Sequence, residues 1–441
     1  MDNRYFLNEI KSLFPEEYES FTGTFSVPMH KSLRINTLKT TEEELISEGI
    51  EIKDLTPFDK NTYYIGNDER LGNHPFHNAG LYYLQEPSAS MVVNAMGIEN
   101  GNRVIDLCAA PGGKSTQILN RLAGTGFLWS NEINWKRCQI LLSNLERWGY
   151  SNYLLTCLST QDIVKMAAGN FDRVLIDAPC SGASMFKKYP ESINDYNEAN
   201  ILACHRRQLD ILENGYQLLK QDGIMVYSTC TYNLIENEMT VYEFIQNHPD
   251  MILENTGIQA GRIGLPYKDL KSDLCRRVLP MDGGEGHFVC RMRKTESTAE
   301  KRLNYISCSR NSTVDEFLRQ YGLDIRYFVK NNEAYYSQQL PEIKNGAVRY
   351  GVLLGTIEKN RFEPHHNLFM CPELAEHFNQ KYEINSRDEL EKYMRGESMS
   401  VSGIRGFTEM SYHNHVLGFA KGDGKQLKNR LPKGLRINSV L

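Results

Sequence analysis

Two cysteines stand where a thiol could react. Cys180 follows Asp177-Ala178-Pro179, and Cys230 lies between Thr229 and Thr231. Each closely follows a short apolar run, 172–177 and 223–228, that reads as a β-strand. In a sheet with these strands as neighbours, both thiols reach one edge. A buried free cysteine is ordinarily a small hydrophobe. Two of them at successive strand ends make shared chemistry the stronger reading. A free thiol is only about 3% thiolate at neutral pH, and a nearby cation such as Lys114 raises that fraction.

The second chemical feature is the stretch LCAAPGGKST, residues 107–116. It ends in Gly-Lys-Ser like a nucleotide-phosphate loop. A phosphate loop, however, needs glycine five residues before its Gly-Lys pair, and Cys108 stands there. The dinucleotide pattern GxGxxG is absent too. What remains is a carboxylate ending a strand (Asp106), a turn of small residues and a helix start. Such a turn lets backbone approach a ligand closely, and the helix N-terminus favours a carboxylate. Glu132 ends the next strand, where an acid can accept hydrogen bonds from ribose hydroxyls. Together these fit S-adenosylmethionine, an adenosine with a carboxylate and no phosphate. The predicted cradle is Cys108, Ala109, Ala110, Pro111, Gly112, Gly113 and Lys114, with Glu132.

The elements that must position these groups alternate. Strands are predicted near 104–107, 126–130, 152–156, 172–177, 223–228 and 287–292. Helices fall over 116–122, around 138–145, over 195–220 (ending at Asp222-Gly223) and over 234–247. This alternation predicts a parallel α/β sheet covered on both faces, with ligands beyond the carboxyl ends of the strands. Before it, a helix carries Tyr5, Phe6, Ile10 and Leu13 on one side, and 32–37 reads as a strand. Another helix follows Pro87, and 82–87 is expected to pack the N-terminal part on the catalytic sheet. After it, the polar run 294–301 suits a linker, and a helix over 313–321 opens a C-terminal part. The expected domains are 1–75, 76–295, 296–380 and 381–441. The end of the chain holds Lys421, Lys425, Lys428, Arg430, Lys433 and Arg436 against Asp423, a local basic surface able to track a phosphate backbone.

The chain has 441 residues, 41% hydrophobic and 24% charged, which is ordinary globular composition with room for several domains. A net charge of −5 gives no global sign of nucleic-acid binding, so any such signal is local. The acidic N-terminal stretch does not read as a signal peptide, and no apolar run is long enough to span a membrane. The ten cysteines show no CxxC spacing, so a cytoplasmic protein with reduced thiols is expected. His365-His366 and His413/His415 lack a third ligand, and no metal is expected.

The motifs CAAPGGK (108–114), DAPCSG (177–182), MFKKYPES (185–192), STCTYNLIENE (228–238) and GGEGHFVCRMRK (283–294) resemble the RNA cytosine-carbon-5 methyltransferases of the Nop/Sun family. The likeness is strongest to the bacterial RsmF-type ribosomal RNA enzymes, whose RNA-binding extension NRFEPHHNLF (360–369) and RLPKGLRI (430–437) resemble. Tyr189 and Ala183 depart from the pattern, where Asp and Glu would be expected. The resemblance implies a Rossmann-like class I methyltransferase fold with a small N-terminal α+β domain and a C-terminal PUA-like RNA-binding domain. It implies Cys230 as nucleophile, Cys180 as the helper in its release, Asp177 on the polar edge of the flipped base and on the cofactor side, and Lys114 orienting Asp177 and the thiols. Asp162 would face the adenine. Arg34, Asn36, Lys433 and Arg436 would contact RNA. DNA cytosine methyltransferases use the cysteine of a Pro-Cys pair, which would select Cys180; the presence of Cys230 argues for the RNA pattern. The implied reaction is methylation of a cytosine in 16S ribosomal RNA, with the small ribosomal subunit as partner and a monomeric enzyme. Transfer RNA as substrate, or a non-catalytic RNA-binding assembly factor, are the alternatives.

Overall fold

The computed structural model describes residues 3–66, 70–359 and 361–437. Asn360, the first residue of NRFEPHHNLF, lies outside the described residues, as do 438–441.

Six strands form the catalytic half of the central sheet: β1 (Arg103–Asp106), β2 (Phe127–Asn131), β3 (Tyr153–Thr156), β4 (Phe171–Asp177), β5 (Leu219–Thr229) and β6 (His287–Lys294). Their order is β6-β5-β4-β1-β2-β3. The pairs β1/β2, β1/β4, β2/β3 and β4/β5 are parallel, whereas β6 runs antiparallel to β5. Helices α1 (Gly113–Leu122), α2 (Trp135–Trp148), α3 (Thr160–Ala167), α4 (Glu198–Leu218) and α5 (Thr240–Asn247) connect and cover them. The sheet is mixed, but the strand order reverses around β1 and β4, where ligand crevices form. Two large apolar clusters, one on each face, bury this sheet. Helix α4 ends at Leu218, and Asp222, with φ +60°, turns the chain within β5 instead of capping the helix. The segment over 234–247 begins as a π-helical turn, Ile235–Met239, before α5.

The domain limits differ from expectation in two places. Tyr82–Gln85 is the edge of a four-stranded antiparallel sheet with Ile52–Leu55, Thr62–Ile65 and Ser32–Ile35, so the N-terminal domain extends past residue 75. Ala347–Tyr350 pairs antiparallel with β3 and joins the central sheet, so 296–380 is not a separate unit. The polar stretch after β6 also lies on this domain: Lys301 N donates to Ala168 O, and Asn170 Nδ2 donates to Lys301 O. The middle segment otherwise holds its own four strands, and the C-terminal domain another four with helix Arg387–Arg395. Leu33, Ile35 and Tyr82 share one cluster with Leu390, Tyr393 and Met410, so the first and last domains pack together. Helix Arg4–Leu13 buries Phe6 and Ile10, while Tyr5 faces outward.

Candidate active site

The turn after β1 is built for a ligand. Gly112 has φ +118°, in the region favouring glycine, and a Cβ there would lie 3.0 Å from Leu141 Cδ1. A Cβ on Gly113 would lie 3.1 Å from Tyr83 Cε1. No side chain caps the start of α1, leaving its first N–H groups for an anion. Asp106 accepts from Ser115 Oγ at 2.7 Å through one oxygen, and its other oxygen is buried without a partner. Burial, reinforced by the nearby Asp177 charge and opposed by the Ser115 bond, pushes Asp106 up to about 7.

Glu132 lies at the end of β2, 3% exposed. One oxygen accepts from Asn134 N at 2.9 Å, and the other lies 3.2 Å from Arg137 Nη1. Arg137 also donates to Ala110 O at 2.8 Å, which ties the acid to the cradle. Two adjoining cavities, of about 520 and 840 Å³, share Glu86, Cys108, Pro111, Lys114, Asp177 and Met185 in their walls. The larger one runs from Glu132 to both thiols.

At the other end of this cleft the two thiols meet. Cys180 Sγ and Cys230 Sγ are 3.3 Å apart. Their loops are fastened together: Ser184 N donates to Cys230 O at 3.1 Å, and the Ser181 and Thr231 hydroxyls lie 2.9 Å apart. Glu236, on the π-helical turn, accepts from Ser181 N at 3.0 Å and from Gln208 Nε2 at 2.8 Å. Such a turn is frequent at functional sites. Asp177 accepts from Lys114 Nζ at 2.8 Å and from Ser228 Oγ at 2.7 Å. Burial opposes the Asp177 charge, but Lys114, His287 and Ser228 outweigh it and hold the carboxyl below its usual range. Burial likewise opposes the Lys114 charge, and Asp177 outweighs it and raises Lys114. The contact with Cys180 lowers Cys230, and His287 and Lys114 add to this against burial and the Asp177 charge. The same contact, with burial, raises Cys180 far above an ordinary thiol. The asymmetry comes first from the thiol–thiol contact itself, and the Glu236 carboxylate on the Cys180 side adds to it.

Thus Cys108 to Lys114, Glu132, Asp177, Cys180 and Cys230 come together. Three expected site residues lie elsewhere. Asp162 is on the outer side of α3: it accepts from Lys165 Nζ at 2.8 Å, and Ser159, the N-cap, bonds both its backbone and its carboxylate. Thr160 and Gln161 reach the cavity instead. Arg34 and Asn36 are buried, at 1% and 0% exposure, and offer RNA no surface. Both faces of Ser32–Ile35 are covered. Arg34 donates to Gly113 O at 2.9 Å and Thr116 Oγ1 at 2.7 Å, with its guanidinium 4.9 Å from the Trp148 ring. Asn36 donates to Gly80 O and Trp148 O. The basic end of the chain is partly spent internally, since Arg430 pairs with Glu363 and Lys428 with Asp423. Lys433 is exposed there, while Arg436, also exposed, lies over Gly396. Ala183 sits with Phe6 and Phe186 in an apolar cluster, which explains a methyl where a carboxylate was expected.

Glu86 and His287 were not anticipated. His287 Nε2 lies 3.5 Å from Lys114 Nζ, and His287 Nδ1 lies 3.0 Å from Glu86 Oε1. The only signal was the position of His287 inside GGEGHFVCRMRK, which gives no role by itself.

Comparison with known proteins settles the class of this site. Residues 93–293 match the model of 16S rRNA methyltransferase RsmB/F, and 3–87 match the N-terminal domain of 16S rRNA methyltransferase RsmF. Residues 314–371 match the first C-terminal domain of RsmF, and 382–437 its PUA domain. A ribosomal RNA small subunit methyltransferase F of Vibrio cholerae serotype O1 is 30% identical, over 96% of this chain and 94% of its own length.

The chain belongs to the RsmF family of 16S rRNA methyltransferases.

Its counterpart from Aliivibrio fischeri is 27% identical over 98% of this chain and 96% of its own. Among solved structures, a methyltransferase homolog from Pyrococcus horikoshii superposes with TM-score 0.58 at 26% identity, covering 66% of this chain and 95% of that one. NSun6 from Pyrococcus horikoshii, solved with SFG, shares the fold at TM-score 0.59 and 20% identity, over 67% of this chain and 99% of that one. The RsmF fold is therefore a Rossmann-like methyltransferase domain between an N-terminal domain and a C-terminal PUA domain, and its cofactor is S-adenosylmethionine. The donor set fits that cofactor. The unpartnered Asp106 oxygen suits an ammonium group, the uncapped start of α1 a carboxylate, and Glu132 a ribose. Among the described residues no group of His, Cys, Asp and Glu could hold a metal, and no helix is long and apolar enough to cross a membrane.

Proposed function

We propose that this RsmF-family protein methylates carbon 5 of a cytosine in small-subunit ribosomal RNA through a covalent bond to Cys230. The observation that carries the reading is the thiol pair, with Cys230 facing Lys114 and His287. Carbon 5 of cytosine is a weak nucleophile. Addition of the Cys230 thiolate to carbon 6 makes the ring an enamine, which is nucleophilic at carbon 5. Asp177, fixed by Lys114 and Ser228, is set to bind the polar edge of a flipped base and to steady its protonated ring nitrogen. Bound S-adenosylmethionine supplies the electrophilic methyl group. A base then takes the carbon-5 proton while the bond from carbon 6 to sulfur breaks. The sulfur leaves as the Cys230 thiolate, the form its surroundings favour, and the Cys180 thiol is placed within contact of it to steady that charge. Ribosomal RNA of the small subunit is the substrate to which the relatives' names and the PUA-domain match point, and the enzyme would act as a cytoplasmic monomer.

The test is to incubate the purified protein and cofactor with unmodified 16S RNA or small subunits and to digest the RNA to nucleosides. The reading expects 5-methylcytidine, lost in Cys230→Ala. Methylation at another atom or another base would refute it.

A further inference from the structure

A second cavity, of about 350 Å³, adjoins the catalytic cleft and has no part in the chemistry above. One wall is Phe25, Val27 and Met29 from the N-terminal segment; the other is Phe186, Pro190 and Ile193 from the loop after β4. Met29 lines this cavity and the 520 Å³ part of the cleft alike, so the two are neighbours. The walls are held by buried Glu285: its carboxylate accepts from His30 N at 2.7 Å on one side and lies 3.1 Å from Lys187 Nζ on the other. Phe186 is fixed from behind by Phe6, with ring centroids 5.2 Å apart. The slot is thus preformed. Lys188, next in the chain to slot-lining Lys187, is exposed and lines the neighbouring cleft, with its ammonium 5.3 Å from the Tyr189 ring.

We infer that this slot receives a nucleobase of the substrate RNA next to the target cytosine. Three features point to it. It is apolar and aromatic, of a volume suited to a small planar group. It shares Met29 with the part of the cleft lined by Asp177, the residue set to bind the flipped base, and so neighbours that site. The exposed cation of Lys188 stands in the cleft beside it, matching the phosphate that links two nucleotides. Single-stranded RNA is recognised by splaying its bases onto aromatic and apolar side chains. Val27, in the wall of the slot, is a large apolar group left 52% exposed, as an unfilled base site would leave it. The slot would therefore act on RNA affinity and on the choice of flanking nucleotide, not on the chemical step.

The inference rests on the RNA-methylation reading, and its test separates the two. Substrate RNAs are made in which the nucleotide on either side of the methylated cytosine is replaced by an abasic residue. For the wild-type protein, one of the two replacements should raise KM for RNA about tenfold, the loss expected for one stacked base, with kcat little changed. Val27→Asp, at an exposed position, should raise KM for intact RNA similarly and should suffer no further loss with that abasic RNA. Ile252→Asp, exposed on a remote strand, should behave as wild type. Equal KM for intact and both abasic RNAs would overturn the base slot while leaving the methylation reading intact, as would an undiminished abasic penalty in Val27→Asp. If the wild-type protein methylates no RNA, both fall.

Discussion

The sulfur atoms of Cys180 and Cys230 lie 3.3 Å apart although 50 residues separate them in the chain. Parallel pairing of β4 with β5 brings their ends together, and Ser181, Ser184 and Glu236 lock the two loops in that register. The close approach divides the labour: Cys230 is the easier of the two to ionise, and Cys180 the harder.

That asymmetry has a pH signature. Cys230 is held below an ordinary thiol by Cys180, His287 and Lys114. Its reactive form is the thiolate, so single-turnover methylation should fall as pH drops through a value below about 8.5. In Lys114→Met the midpoint should move to higher pH. A pH profile identical to wild type would show that Lys114 does not tune the thiol.

Lys114→Ala also leaves the half-buried Asp177 carboxylate without its ammonium partner. Loss of one such fixed electrostatic contact should lower kcat about 10²- to 10³-fold. Asp177→Asn, which keeps the shape and removes the charge, should fall in the same range. Steady-state rates with saturating RNA and cofactor measure both.

Glu132→Ala should weaken cofactor binding about tenfold or more, since hydrogen bonds to a charged acceptor contribute about 1.5–3 kcal/mol. RNA affinity should not change. Calorimetric titration with S-adenosylmethionine or its demethylated product reads this, and an unchanged Kd would remove Glu132 from the cofactor site.

Arg34 is a brace, not an RNA contact. Its bonds to Gly113 O and Thr116 Oγ1 hold the cradle from behind. Arg34→Ala should cost about 2–4 kcal/mol of stability, because it leaves buried partners unpaired and a cavity. It should also weaken cofactor binding while RNA affinity stays level. Reduced RNA affinity with normal cofactor binding would reverse this assignment.

His366 carries a stability prediction. It is buried with neither ring nitrogen hydrogen-bonded, and burial lowers it to about 3. The unfolded chain therefore binds the proton first. Stability is complete above about pH 6.5 and is lost as pH falls toward the folded value. At pH 5 this single group should cost about 2 kcal/mol. Chemical denaturation of His366→Phe at pH 7 and 5 should show a smaller pH effect than wild type.

Much of the site was legible in sequence because its parts are local: a strand, a turn of small residues and a helix start are contiguous in CAAPGGK, and Cys180 and Cys230 each follow a recognisable apolar strand. The failures have physical causes. Polar Arg34 and Asn36 on a short strand look like a solvated face, and only the packing of that strand against α1 and Trp148 buries them. Asp162 looks like an acid after a strand, but Ser159 caps α3 and turns Asp162 toward solvent and Lys165. Glu86, just past the N-terminal strand Tyr82–Gln85, meets His287 at the start of β6 only through the packing of the N-terminal sheet on the catalytic one, which no local pattern encodes. The edge strand Ala347–Tyr350 was missed because its partner β3 is nearly two hundred residues away in sequence.

The central claim is that Cys230 attacks and Cys180 releases. Cys180→Ala protein, mixed with S-adenosylmethionine and 16S RNA and run on a denaturing gel, tests it most directly. The account predicts a covalent protein–RNA band that survives denaturation and disappears when Cys230→Ala is added to the same chain. Normal methylation without such a band, or a band that persists without Cys230, would contradict it.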